Sequence, residues 1–315
     1  MCGIIGYIKN ESQNNTKDII HALKKLEYRG YDSAGVCEIS NNNFNTIKSV
    51  GEIKNLEQKF TPFLSTCGIA HTRWATHGKV NLQNTHPHFD NKNEWAVVHN
   101  GIIENYVSLK HKLQNNGVTF YGTTDTEVIP NLISLNIQKN NLNKFASAIN
   151  KLCGSFAICA INKYEPKTIY LARKNSPLYV AQNQESTMVS SDPICFSEKF
   201  NKYYIIPENC IAKITDKNVE FFDFKLNKIN AQEKQMGVFE KSATLGKFQY
   251  FAEKEINQIP QVLNNIINNY SNINYFKNDS NITFLDVGQG DSILIHLNNR
   301  NILNKTKSVL CNIQM

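Results

Sequence analysis

The sequence predicts an α+β domain on three observations. A short apolar run opens the chain, helical spacings fill the middle, and a series of short β-rich segments follows before residue 225. CGIIGYI is brief and β-branched, as a buried strand requires, and TKDIIHALKKLEYRG then places Ile19, Ile20, Leu23 and Leu26 on one helical face. Thr16 is the expected N-cap of that helix and Gly30 its stop. AGVCEIS and FNTIKSV flank an asparagine-rich turn as a hairpin, while CGIAHTRWA and EWAVVHNGII read as buried strands entering polar loops. NYVSLKHKLQNNG and LNKFASAINKL are helical, and TDTEVIPNLISL begins with a capping box from Thr124 to Glu127. SFAICAI, KTIYLAR, STMVSS, CIAKIT and VEFFDF complete the pattern as five strands. Strands at both ends thus enclose helices, which predicts one layered domain ending near residue 225.

Composition sets the context. The chain has 315 residues, 41% of them hydrophobic, and a formal net charge of +7. Its lysines are scattered among asparagines, without the dense basic block expected of a nucleic-acid or membrane partner. No apolar run approaches the roughly 20 residues of a membrane span, and GIIGYI lacks the flanks of a signal peptide. A cytoplasmic protein is expected. Cys2, Cys37, Cys67, Cys153, Cys159, Cys195, Cys210 and Cys311 form no CxxC pair, which fits free thiols, mostly small core residues, in a reducing compartment.

Chemistry is concentrated where strands meet polar loops. Loss of Met1 would give Cys2 both a thiol and a free α-amine, with ordinary pKa values of about 8.5 and about 7.7–8.0. Such an amine can serve as base for its own nucleophile. HTRWATHG, residues 71–78, offers Arg73 for bidentate recognition of a carboxylate, or alternatively for a surface ion pair. Trp74 is either a lid or a core residue. HNGIIENY sets Asn100 and Gly101 after an apolar strand, either as two oxyanion donors or as an ordinary Asn-Gly turn. Asp125 stands at a predicted helix start, where it caps the helix or faces an ammonium group. His71, His77, His86, His88 and His99 fall close together, but no cysteine or carboxylate arrangement completes a zinc pattern, so no metal and no other cofactor is expected.

CGIIGYI, LEYRGYDSAG, HTRWATHG, THPH, VVHNGIIENY and TDTEVI, in that order, resemble the glutaminase domain of the glutamine–fructose-6-phosphate aminotransferases, the glucosamine-6-phosphate synthases. The resemblance covers residues 1–240 and continues weakly in FAEKEINQIPQVL, within a linker at 241–272. It implies an N-terminal nucleophile hydrolase fold, an αββα sandwich. It also implies that Cys2 attacks the side-chain amide of L-glutamine to form a thioester. Asn100 and Gly101 would then stabilise the oxyanion, Arg73 bind the α-carboxylate and Asp125 the α-ammonium. Thr76 and His77 would complete the pocket, with Trp74 as gate, Arg29 near the nucleophile and His86 in support. Pro130 departs from the pattern: inside the second turn of a helix it would cost about 3 kcal/mol and shift Asp125.

The sugar-isomerase half of that family does not follow, so a separate isomerase chain is a possible partner. NITFLDVGQGDSILIHL, within 273–315, instead resembles the opening strands of a metallo-β-lactamase-like domain of DNA-uptake channel proteins, over about one hairpin. The HxHxDH motif is absent, so Asp286, Asp291 and His296 are not credited as ligands, and a fusion, frameshift or assembly join is the expected origin of this poorly ordered tail. The readings in competition with glutaminase are a metal-dependent hydrolase and a catalytically silent remnant.

Overall fold

The computed structural model describes residues 2–13, 16–59, 64–75, 78–196, 199–236, 246–248, 251–270, 281–286, 291–297 and 300–305. They fall into two units, Met1–Ala243 and Thr244–Met315.

In the first unit, β1 (Gly3–Gln13) leads to α1 (Thr16–Lys24) and a 3₁₀ turn at Glu27–Arg29, followed by the hairpin β2 (Ser33–Ser40) and β3 (Asn43–Val50). Asn41 and Asn42 form its two-residue turn with φ of 49° and 58°, the left-handed geometry that asparagine tolerates and that matches strand twist. Next come α2 (Ile53–Glu57), β4 (Ser65–Arg73), β5 (His88–Phe89), β6 (Trp95–Ile103), α3 (Tyr106–Asn115), α4 (Val128–Ser134) and α5 (Asn141–Ile149). The remaining strands are β7 (Gly154–Asn162), β8 (Thr168–Lys174), β9 (Tyr179–Gln182), β10 (Ser186–Ser190), β11 (Lys202–Ile205), β12 (Cys210–Thr215), β13 (Val219–Asp223), β14 (Lys228–Ile229) and β15 (Gln232–Gln235).

Two antiparallel sheets result, one in the order β15-β11-β9-β10-β1-β4-β2-β3 and the other β14-β13-β12-β8-β7-β6-β5. Side-chain alternation builds four layers from them. Ile4, Ile8, Ile39 and Ile69 face Val98, Ala157, Cys159 and Leu171 across the sandwich, whereas Ile5, Tyr7 and Val36 face the other way onto Ile19 and Leu23 of α1. Trp95, Val97 and Phe156 turn outward against Val128, Ile133 and Phe145 of the helices that cover the second sheet. The predicted α+β sandwich is therefore observed, with Cys37, Cys67, Cys159 and Cys210 as free thiols in its inter-sheet core.

Several local expectations are corrected. Thr16 is the first residue of α1, and its hydroxyl donates to buried Glu38 instead of capping the helix. The capping box does not form: Glu127 accepts from the backbone N–H groups of Tyr121 and Gly122, both at 2.8 Å, while Thr124 pairs with His88. Because α4 begins at Val128, Pro130 sits in its first turn, where an N–H has no intrahelical acceptor to lose. The proline therefore imposes no kink on the approach to Asp125. The unit also continues beyond residue 225 through β14 and β15.

The second unit contains α6 (Phe251–Tyr270), with Pro260 inside it, and a separate antiparallel sheet β16 (Asn281–Asp286), β17 (Asp291–Leu297) and β18 (Arg300–Lys305). A lone hairpin was expected; β18 adds a third strand by pairing along β17, from Leu297 opposite Arg300 to Ser292 opposite Lys305. Cys311, the boundary around residue 240 and the stretch 271–280 lie outside the described residues. Among the described residues, no helix is long and apolar enough to cross a membrane.

Candidate active site

The site is assembled at one end of the sandwich, where β1, β4 and β6 meet. β1 is hydrogen-bonded on both sides, with Gly3 opposite Thr72 and Ile4 opposite His71 on β4, and Ile5 opposite Ser190 on β10. This fixes Cys2 at the head of a central strand. Its carbonyl oxygen accepts from Asn100 Nδ2 at 3.0 Å and from Arg29 Nε at 3.2 Å, and the next two backbone N–H groups donate to Thr72 Oγ1 and Ser191 Oγ. The thiol remains at the surface of a cleft, where Trp74 N–H donates to Sγ at 3.2 Å. Burial pushes the Cys2 thiol pKa up, and the Trp74 N–H, the amino terminus, Arg73 and Arg29 pull against that rise. A thiol held protonated in this way needs a base before it can attack.

The EYRGYDSAG segment supports Cys2 through its backbone as well as its charge. Arg29 is buried and pairs with Asp192 at 3.1 Å while holding the Cys2 carbonyl. Gly30 lies so close to the 73–74 backbone that a Cβ there would stand 2.8 Å from Arg73 C and Trp74 N. Asp32 then accepts from Ala75 N–H at 2.8 Å, and Tyr31 meets the Trp74 ring edge-on at 5.6 Å. The exposed Trp74 is a wall of the cleft and not a core residue.

Arg73 is 4% exposed and so is not a surface side chain, and its guanidinium is directed at the carbonyls of Gly78 and Lys79 at 3.4 Å. Asn100 and Gly101 lie within β6 and form no turn: they pair with Ala157 and Phe156 of β7. Gly101 has φ of +124°, and a Cβ would stand 2.0 Å from the carbonyl oxygen of Ser155. Asp125 is not a helix cap; it precedes α4 by three residues and its carboxylate accepts from Ile103 N–H at 2.7 Å. Cys2, Arg73, Trp74, His86, Gly101, Thr124 and Asp125 share one cleft with about 310 Å³ of free space. Thr76 and His77 lie outside the described residues.

His86 and His99, which line this cleft, belong to a buried group of histidines that residue spacing did not assign. His71 and His86 stack with centroids 4.0 Å apart, and His88 meets His86 edge-on at 4.7 Å. His71 Nε2 lies 3.0 Å from Asn100 Oδ1 and 3.1 Å from His99 O; His99 N–H donates to His86 Nδ1 at 3.2 Å. Thr126 joins His99 and His86 through its hydroxyl. Burial lowers all four pKa values, that of His71 to about 3, so the rings are neutral near pH 7. Among the described residues no group of three or more His, Cys, Asp or Glu side chains is placed to hold a metal, and these histidines hydrogen-bond Asn100, Thr124, Thr126 and one another.

The sandwich has the fold of the N-terminal nucleophile hydrolases, and residues 71–198 match the family model described as a glutamine amidotransferase domain. The chain carries a glutamine amidotransferase domain. Among its relatives are glutamine–fructose-6-phosphate aminotransferases (isomerizing). That of Clostridium acetobutylicum is 37% identical over 265 residues, 84% of this chain and 43% of the relative. The Helicobacter pylori protein is 40% identical over 261 residues, 81% of this chain and 42% of the relative. That of Buchnera aphidicola is 35% identical over 302 residues, 94% of this chain and 48% of the relative, a share that reaches into 273–315. The chain spans less than half the length of these relatives. A solved glutamine phosphoribosylpyrophosphate amidotransferase from B. subtilis shares the fold, with a TM-score of 0.63 at 22% identity over 72% of this chain and 50% of that one.

Proposed function

We propose that the first unit hydrolyses L-glutamine to glutamate and ammonia, as the glutaminase module of a glucosamine-6-phosphate synthase in cytoplasmic hexosamine biosynthesis. The observation that carries this reading is the single cleft holding Cys2, Arg73, Gly101 and Asp125. The guanidinium and the carboxylate suit the two charged ends of an amino acid, and the thiol suits the amide carbon between them and solvent. With Met1 removed, the Cys2 amine takes the thiol proton as Sγ bonds to the amide carbon. Asn100 Nδ2 and Gly101 N–H donate to the resulting oxyanion; the C–N bond breaks, and the proton leaves with ammonia. Water then attacks the thioester, releasing glutamate and restoring the thiol.

Thr76 and His77 complete the pocket in this proposal, Trp74 gates ammonia release, and Arg29 and His86 support the nucleophile and the cleft floor. The partners are L-glutamine and a sugar-isomerase domain that accepts the ammonia, with no role for nucleic acid or a membrane. The resemblance of 281–297 to a metallo-β-lactamase-like domain brings no activity into the proposal.

Incubating the purified chain with glutamine and fructose 6-phosphate, while following glutamate and amino sugar separately, tests this reading. Glutamate is expected without amino sugar, insensitive to chelators and lost in Cys2→Ala. Absence of glutamate formation would sink the glutaminase reading, and amino-sugar formation by this chain alone would overturn the division of labour.

A further inference from the structure

We infer that His71 is the positioning residue that fixes the amide of Asn100, holding its Nδ2 toward the reaction centre. This rests on the glutaminase reading of the cleft. Proton accounting fixes the amide. The His99 carbonyl oxygen 3.1 Å from His71 Nε2 can only accept, so in the neutral ring Nε2 carries the proton. The Asn100 atom 3.0 Å from that same nitrogen must then also accept, which makes it Oδ1. At its other end, Asn100 faces the Cys2 carbonyl at 3.0 Å, again an acceptor only, which makes that atom Nδ2. Both ends give the same orientation. His71 Nδ1, deprotonated in this tautomer, is buried without a hydrogen-bond partner among the described residues, as expected of a ring whose one proton is committed to Asn100 and His99.

The ring itself is held in place. His71 is 1% exposed and stacks on His86 at an interplanar angle of 15°, and His86 is in turn fixed by the His99 N–H. The close approach of β2 leaves no slack: a Cβ on Gly35 would lie 2.0 Å from the His86 carbonyl oxygen. An amide has two nearly isosteric ends, and turning it over would present Oδ1 to a developing oxyanion, replacing attraction with repulsion. The His71 N–H on Oδ1 opposes that turn, and it polarises the amide so that Nδ2–H is a better donor. His71 touches neither substrate nor thiol; it acts through Asn100.

The test is a double-mutant cycle on the full chain with glutaminase readout. His71→Phe keeps a flat ring against His86 and removes the N–H. It is expected to lower kcat by about 10- to 100-fold, with little change in KM, since the loss falls on the transition state. In an Asn100→Ala background the same substitution should do nothing further, because the group it positions is gone. Equal losses of kcat in both backgrounds, or a rise in KM with kcat unchanged, would overturn the inference.

An inactive wild-type chain would sink the glutaminase reading instead. The orientation is then read by ¹⁵N NMR, where the side-chain NH₂ pair that Asn100→Ala removes should shift in His71→Phe; an unmoved pair overturns the inference. If His71→Phe does not fold, His71→Gln retains an N–H donor and should keep kcat within a few-fold of wild type. A loss in folded His71→Gln as large as that of Asn100→Ala refutes the role.

Discussion

Gly101→Ala probes both the fold and the chemistry of the cleft, and its effect can be worked from the backbone. At φ of +124° an alanine is strained whatever the space, at about 1–3 kcal/mol for such a conformation. Space is lacking as well. The new Cβ would stand 2.0 Å from Ser155 O, 2.8 Å from Ser155 C and 3.0 Å from Phe156 Cα, all main-chain atoms of β7 that no rotamer change can move. Reaching an ordinary C–H···O separation of about 3.3 Å requires β6 and β7 to part by roughly 1.3 Å. Ladder hydrogen bonds beside the Gly101–Phe156 pair would be lost with that movement, at about 1 kcal/mol each. The expected destabilisation is about 3–4 kcal/mol, read as a lower urea midpoint with unchanged slope. Asn100 and the Gly101 N–H ride on the displaced strand, and an error of about 1 Å in a catalytic group can cost on the order of 10² in rate. Glutaminase kcat under folding conditions should fall by that factor. A Gly101→Ala chain with wild-type stability and kcat would refute both the steric argument and the placement of Gly101 at the oxyanion.

Arg73→Lys keeps the charge but loses the planar fork, so it should mainly raise KM for glutamine, whereas Asn100→Ala should lower kcat by on the order of 10²–10³; steady-state kinetics showing the reverse would exchange their roles. Buried Glu38 has its pKa raised above its ordinary 4.5 by burial, partly offset by hydrogen bonds from Ser65, Thr16 and Tyr7, so the folded state holds its proton longer than the unfolded one. Relative to Glu38→Gln, the wild type should therefore lose stability as pH rises from the ordinary value of 4.5 through the raised one; parallel urea midpoints across about pH 4–7 would contradict this. Intact mass should show Met1 removed from active protein, and full glutaminase activity with Met1 retained would exclude the Cys2 amine as base.

The sequence made the long buried strands legible because β1, β4, β6 and β7 are apolar on both faces. It concealed the short and polar ones. QEKQ in β15 is exposed at all four positions and has no apolar alternation to read, and the two residues of β5 are too few to show any period. Asn100–Gly101 within EWAVVHNGII also reads as an Asn-Gly turn, and the pairing with β7 resolves it as strand, with a glycine required by a neighbouring carbonyl. The capping-box pattern at Thr124 misled because Glu127 is recruited by the Tyr121 and Gly122 N–H groups, a loop contact that local spacing cannot encode. Arg73, Asp125 and Cys2 were recognisable as chemistry, whereas the histidine layer beneath them gains meaning only from the stacking of His71 on His86.

Cys2 stands just ahead of β1, and the fold holds it there with contacts to its main chain. The thiol itself meets the Trp74 backbone, whose N–H donates to Sγ. Cys2 is secured through its carbonyl by Asn100 and Arg29, and the strand after it is zipped between β4 and β10. Each of those side chains is itself anchored elsewhere, Arg29 on Asp192 and Asn100 on His71. In the proposed reaction this leaves Sγ and, once Met1 is removed, the Cys2 amine to serve as nucleophile and base. Arg29 and Asn100 are at most 9% exposed whereas Cys2 is half-buried, so in that proposal the fixed positions of these two side chains, more than any property of the thiol, set where the sulfur meets the substrate.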